Sequence, residues 1–395
     1  MAHTTAESAG ELLGLVRSGD ALTRADLARV TGLSRSTITQ RIDTLLAADL
    51  VYEAGEAASS GGRPPRTLAF NAAAGVVLVA DLGATHSRLA IADLGGSILG
   101  ETSGDLDISR GPDEVMAWVI AQFADLLESA DRPPGQVRGV GIGLPGPVEY
   151  SVGRAVHPPI MPGWDGVKVP DLVQLVHPVP VLVDNDVNIM ALGEYWTHWR
   201  DRVDDLLFVK VGTGVGSGIV AGGRIHRGQN GAAGDLGHVR VPSAADAPCR
   251  CGNLGCLEAV ASGAALASQM RDLGVPARDA RDVAASAMAG DATANRLVRS
   301  AGRLIGEVLA GAVNLLNPGA IVLGGDVSLA ANQLVAGVRE RIYERSTVLA
   351  THDLRIARSE LGDRAGVVGA AVMILESILV PTAVDTMLEA RSAGS

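Results

Sequence analysis

The chain has three cysteines, Cys249, Cys251 and Cys256, and all three fall as C-x-C-x4-C inside residues 234–258. His238 stands shortly upstream. Three thiolates and one imidazole complete a tetrahedral zinc set and leave no position open for water. A closed set predicts a structural zinc rather than a catalytic one. Gly252 and Gly255 suit it, because a chain turning tightly round an ion needs residues without a clashing Cβ. The alternative is that three small buried cysteines merely lie close together. With its cysteines on a metal rather than in pairs, the chain reads as cytoplasmic.

At 395 residues the chain is expected to hold two or three domains, since single cores rarely grow beyond about 250–300 residues. A net charge of −11 argues against a general basic coat for nucleic acid. Any DNA contact must be local, made by a small arginine-bearing module. No apolar run reaches the ~20 residues of a membrane span. The opening MAHTTAESAGE lacks the apolar core of a signal peptide.

Between residues 11 and 51 the apolar spacing predicts three short helices. Leu12, Leu13, Leu15 and Val16 form the apolar side of the first. Thr23 is placed to cap a second helix over 24–30, with Asp26 where a carboxylate can reach back to the cap. Thr31, Gly32 and Leu33 make a tight turn, and Ser34 caps a third helix. There Ile38, Ile42, Leu45 and Leu46 face inward. Arg35, Ser36, Thr37, Thr39, Gln40 and Arg41 face outward, a set that reads base edges and phosphates in a major groove. Residues 50–52 and 67–70 are expected to pair as a wing. Its tip carries Gly62, Arg63 and Pro64, and Arg63 suits a narrow minor groove with enhanced negative potential. The pattern predicts a winged helix-turn-helix over residues 1–70; the plainer alternative is a helical partner-binding module on a linker.

From residue 71 the composition changes to strands that end in glycine turns. Residues 75–80 (GVVLVA) lead into Asp81, Gly83 and Thr85, and residues 88–92 form the next strand. Small residues there let a phosphate approach the backbone, and Asp81 can hold a Mg²⁺-bound water. Strands over 137–142 and 179–183 follow, the second delivering Asp184, Asn185 and Asp186 at its carboxyl end, where open α/β sheets place ligands. A second half repeats the plan: residues 206–211 run into the glycine-rich hairpin 212–218, able to cradle phosphate. Residues 320–323 run into Gly324 and Gly325, which admit an adenine ring.

The segments DLGATHSRLAI, GIGLPGPV, DNDVN, VGTGVGSGIV, GDLGH, CRCGNLGCLE and NPGAIVLGG, in that order, resemble the ROK family (repressors, open reading frames, kinases) of the actin/hexokinase-like, ribonuclease H-like fold. The likeness covers residues 71–380. It implies two α/β lobes, 71–190 and 191–395, with the zinc site in the second and a C-terminal helix packing back on the first. Sugar would bind in the cleft, and the chain would form a homodimer or homotetramer. In ROK sugar kinases the residue matching Asp186 is the general base that deprotonates the sugar. The resemblance further implies that Asn185, Asp186, Asp235, His238 and Glu258 bind sugar, with His238 touching zinc through its other ring nitrogen. It makes Asp81, Gly83 and Thr85 the first phosphate motif, Gly212, Thr213 and Gly214 the second, and Gly324 and Gly325 the adenosine motif.

Three positions depart from the family pattern. Asp235 replaces a glutamate, His86 stands where kinases often have lysine, and residues 158–162 (PPIMP) lack a polar asparagine. With a helix-turn-helix in front, the expected function is a DNA-binding repressor of carbohydrate genes that senses a sugar or sugar phosphate. Its partners are operator DNA and that sugar, without a membrane. The alternative is an ATP-dependent, glucokinase-like sugar kinase with a fused DNA-binding domain, using Mg-ATP.

Overall fold

The computed structural model describes residues 8–56 and 66–393. Helix α1 (Ala9–Ser18) opens with a reciprocal cap: the Glu11 N–H donates to Ser8 Oγ at 3.2 Å, and the Ser8 N–H to Glu11 Oε2 at 2.8 Å. Thr23 caps α2 (Arg24–Thr31). Asp26, however, accepts the Thr23 hydroxyl at 2.7 Å instead of reaching its backbone N–H. Gly32, at φ 74, ends α2 in the left-handed conformation that favours glycine. Ser34 then caps α3 (Arg35–Ala47), whose Ile38, Ile42 and Leu45 are fully buried. Strands β1 (Val51–Glu56) and β2 (Arg66–Phe70) pair antiparallel as the wing, Val51 opposite Phe70. The wing tip and Arg63 lie outside the described residues.

Strands β3 (Val76–Leu82), β4 (His86–Asp93) and β5 (Ile98–Asp105) form an antiparallel meander. The sequence gives no strand reading for β5, an edge strand whose residues alternate between half-buried and exposed. Helix α4 (Pro112–Ser129) covers the meander. Strand β6 (Val137–Leu144), the small hairpin of β7 (Val148–Glu149) and β8 (Arg154–Ala155), helix α5 (Val169–Gln174) and strand β9 (Val181–Asn185) follow. The sheet order is β5-β4-β3-β6-β9, with β6 and β9 parallel to β3.

Helix α6 (Asp186–Glu194) and a π-helical turn carry the chain into the second lobe. Strands β10 (Leu206–Val211), β11 (Val215–Ala221) and β12 (Arg224–Ile225) make another antiparallel meander. After the cysteine loop come α7 (Leu257–Ala261), α8 (Gly263–Asp272), α9 (Ala280–Met288) and the long α10 (Ala292–Leu316). Then follow β13 (Ala320–Gly324), α11 (Ala331–Arg345), α12 (Val348–Thr351) and β14 (Arg355–Arg358). Here the order is β12-β11-β10-β13-β14, the plan of the first sheet repeated.

Two last helices tie the molecule together. Helix α13 (Ala365–Ile378) returns to lie on β3 and β6 of the first lobe, and α14 (Pro381–Ala393) turns away from it by 65°. The alternate glycines of β6 make room. A Cβ on Gly139 would sit 2.7 Å from Ile374 Cγ1, and one on Gly141 2.6 Å from the Ala370 carbonyl. Helices α6 and α13 cross backbone to backbone, because Gly193 faces Ala365 and Gly369 faces Ile189. The boundary expected at residue 190 therefore falls inside α6, a helix shared by both lobes.

Helix α14 packs on α1, burying Val384 and Leu388 with Leu12 and Leu13. One hydrophobic core thus runs from the helix-turn-helix through α14 and α13 to Val77 and Val79 of β3. Among the described residues no single helix is long and apolar enough to cross a membrane.

Candidate functional site

On α3, Arg35, Ser36, Thr39 and Gln40 are exposed, while Thr37 and Arg41 are half-buried. The outward face is narrower than its sequence suggests. The Ser36 and Thr37 hydroxyls each lie 2.8 Å from Ser34 Oγ, and the Thr39 hydroxyl donates to the Arg35 carbonyl at 2.9 Å. These hydroxyls are engaged at the helix start, leaving Arg35 and Gln40 freest to reach a groove.

Between the lobes, the carboxyl end of β9 delivers a polar cluster. Asn185 is the N-cap of α6: its Oδ1 accepts the Val187 N–H at 2.9 Å and its amide donates to the Gly146 carbonyl at 3.1 Å. Asn185 is the capping residue, though Asp186 Oδ1 also accepts the Val187 N–H at 2.9 Å, which leaves Asp186 Oδ2 for a partner across the cleft. Lys210 Nζ of β10 donates to Asp186 Oδ2 at 2.5 Å, joining the two lobes. Asp184 is buried and bound on both oxygens. Asn188 Nδ2 donates to Oδ1 at 2.9 Å and Arg227 Nε to Oδ2 at 2.7 Å. The Arg227 guanidinium also lies 3.7 Å from the Tyr150 ring centroid, a cation–π contact from a second-lobe loop to the first lobe. Lys210 and Arg227 carry no sequence motif.

The cysteine loop brings its four expected ligands together. His238 Nδ1 lies 3.6 Å from Cys249 Sγ, Cys251 Sγ lies 3.7 Å from Cys256 Sγ, and all four ligand atoms fall within 4.8 Å of one another. Zn–S bonds of about 2.3 Å place tetrahedral sulfurs about 3.8 Å apart, so the cage has the size of a zinc site. The Asn253 backbone N–H holds the Cys251 thiol down at about 7, whereas burial pushes Cys256 up to about 12 and raises Cys249. Thiols this close resist ionising together unless a cation sits among them.

Why the loop reads G-D-L-G-H is a matter of space. Gly234, at φ 95, and Gly237 press their Cα atoms against the Ser217 and Val215 carbonyls of β11, where a Cβ would collide. The Ser217 hydroxyl fixes this contact by donating to the Gly234 carbonyl at 2.6 Å. Glu258, on α7 directly after Cys256, accepts the Val215 N–H through Oε2 at 3.0 Å. Asp235 is exposed at the start of the 3-10 turn Leu236–His238.

The expected nucleotide residues occupy turns with structural reasons of their own. Gly83 closes the β3–β4 hairpin, its would-be Cβ 2.6 Å from the His86 carbonyl, and Thr85 is exposed there. His86 turns its Nδ1 to Asp105 at 3.1 Å. Gly324 rests on the Phe208 ring, and Gly325, at φ 80, lies against the Val211 backbone. Thr213 and Gly214 form the hairpin tip beside Glu258, while Gly212 faces Lys210 and Asp326. Burial raises the Asp81 carboxyl to about 7 against the opposing pull of Lys210.

A winged helix-turn-helix whose core runs into a two-lobed actin/hexokinase-like body defines a DNA-binding regulator built on a sugar-kinase scaffold. The ROK family model matches residues 77–377, and the chain belongs to the ROK family. It is 29% identical over 392 residues to the xylose repressor of Caldicellulosiruptor bescii, covering 95% of this chain and 98% of that protein. The crystal structure of a ROK transcriptional regulator, a homolog of the E. coli MLC protein, superposes with a TM-score of 0.81 at 27% identity, covering 98% of this chain and all of that one. A ROK glucokinase from Streptomyces griseus, solved with glucose and AMPPNP, gives a TM-score of 0.66 at 28% identity and covers 76% of this chain and 99% of that one.

Proposed function

We propose that this protein is a repressor of carbohydrate genes that leaves its operator when a sugar or sugar phosphate enters the cleft. The observation that carries this reading is the continuous core from the cleft to the helix-turn-helix. Gly366 of α13 packs on the Asp81 carboxyl, and α13 leads into α14, which packs on α1. A change in lobe angle would therefore move α14 and, with it, the reading helices. In a homodimer or homotetramer two such helices must enter grooves about 34–36 Å apart, so a small rotation abolishes binding.

The sugar would be held by Asp186, Glu258, His238 and Asp235, with Asn185 shaping the turn beneath it. Carboxylates and an imidazole suit a polyhydroxyl ligand. The Cys3His cage fits zinc, which when bound would fix the His238 ring and the loop that carries Glu258. The test is a melting series with pentoses, hexoses, N-acetylated amino sugars and their phosphates. One class should raise the melting temperature, since ligand at a hundred times its Kd contributes about 2.7 kcal/mol. Asp186→Asn and Glu258→Gln should weaken that shift. No shift with any sugar would overturn the reading.

A further inference from the structure

The family resemblance implies a divalent cation with a nucleotide beside Asp81, and the residues present do not fit one. Lys210 pairs with Asp186 and pulls electrostatically on Asp81. Its Nζ lies 2.5 Å from Asp186 Oδ2, with the lysine side chain 24% exposed and the aspartate 6%. Burial alone would lower this lysine, but Asp186, Asp81 and Asp326 outweigh it and hold the ammonium above the ordinary lysine range. Asp81 Oδ1 is sealed from solvent and has no hydrogen-bond partner among the described residues. The positive charges that act on it are the Lys210 ammonium, the stronger of the two, and the Arg88 guanidinium.

The phosphate side is equally altered. A Cβ on Gly212 would sit 3.5 Å from Lys210 Cε and 3.8 Å from Asp326 Oδ2. Phosphates settling on this hairpin would meet a carboxylate, one that Arg281 already holds at 3.3 Å. Magnesium needs a near-octahedral oxygen shell at about 2.0–2.1 Å; an ammonium already bonded to the Asp186 carboxylate competes for that oxygen and repels the ion.

We propose that Lys210 is a built-in replacement for the divalent cation, which dedicates the cleft to its carbohydrate ligand, without divalent cation or nucleotide. Asp186 is then committed to an ion pair and does not serve as a base for phosphoryl transfer. The inference rests on the cleft being the sugar site, and its test separates the two claims.

The experiment follows Mn²⁺ by the loss of its free electron-paramagnetic signal, with and without ATP, on the zinc-loaded full chain. Wild type should leave the signal unchanged. Lys210→Ser should bind Mn²⁺ or Mn·ATP about tenfold or more tightly than wild type, displaceable by Mg²⁺. Lys210→Arg, which keeps the charge, should behave as wild type. Binding by wild type, or a folded Lys210→Ser that gains none, would overturn the proposal. Should Lys210→Ser fail to fold, the wild-type arm with ATP decides alone. A parallel sugar melting series reports separately on the sugar reading.

Discussion

Glu258 accepts the Val215 N–H through Oε2 at 3.0 Å, two residues past the last cysteine of the metal cage. The bond joins the cysteine loop to the glycine hairpin. Because His238 lies in the same loop, its geometry depends on the cage. Cys251→Ser should lose zinc, measured by elemental analysis, and melt lower by on the order of 5 °C. The sugar-induced melting shift should fall with it. A full sugar response in the zinc-free variant would contradict the coupling.

Glu194 is fully buried where α6 leaves the first lobe. Its Oε1 accepts the Ser359 hydroxyl and, at 2.8 Å, the Leu361 N–H, while burial raises its carboxyl above 4.5. A carboxyl raised on folding binds its proton more tightly folded than unfolded. Its contribution is full below 4.5 and is lost as pH rises through the folded value. Asp81 acts with the same sign up to about 7. Glu194→Gln should therefore show a shallower loss of stability above pH 4.5 than wild type in urea titrations. Glu194→Ala should cost about 1–3 kcal/mol, since it strands two buried donors. An unchanged pH slope in Glu194→Gln would refute the assignment.

The Gly10 N–H donates to Asp385 Oδ1 at 2.9 Å, and Arg391 Nη1 donates to the Ala48 carbonyl at 3.0 Å. These bonds, with buried Leu388, fasten α14 to the helix-turn-helix. Leu388→Ala should destabilise by about 2–5 kcal/mol. Asp385→Ala, a milder change, should leave operator affinity near wild type but blunt its loss on adding sugar. Undiminished release would show that α14 is not the link.

Arg35 and Gln40 are exposed on α3, and neither side chain has a hydrogen bond or ion pair among the described residues. Alanine at either should weaken operator binding by about 1–3 kcal/mol in anisotropy titrations. Melting should move by no more than about 0.5 kcal/mol in stability. Equal binding by both variants would exclude α3 as the reading helix.

Much of this architecture could be read from local signals. Ser34, Gly32 and Thr23 announce caps and turns because their chemistry acts within three or four residues. The cysteines announce a cage because metal geometry restricts spacing. Strands that end in glycine turns reveal the repeated lobes, and the ROK match and the superposed ROK regulator bear out the family and fold. Contacts between distant residues were not legible. The Lys210–Asp186 pair spans 24 residues and joins a strand of one lobe to the start of α6, and the Gly10–Asp385 bond spans 375. One clue was available: Lys210 is the sole charge in the otherwise apolar LLFVKV of β10. Strands β5 and β14 carry no clear strand signature, because edge positions hold little apolar pattern.

The most direct test is a gel shift of the full chain on its own upstream DNA, titrated with the sugar and sugar-phosphate panel. The account predicts a specific complex that one sugar class dissociates, with no requirement for ATP or Mg²⁺. A specific complex that no sugar or sugar phosphate dissociates would contradict it.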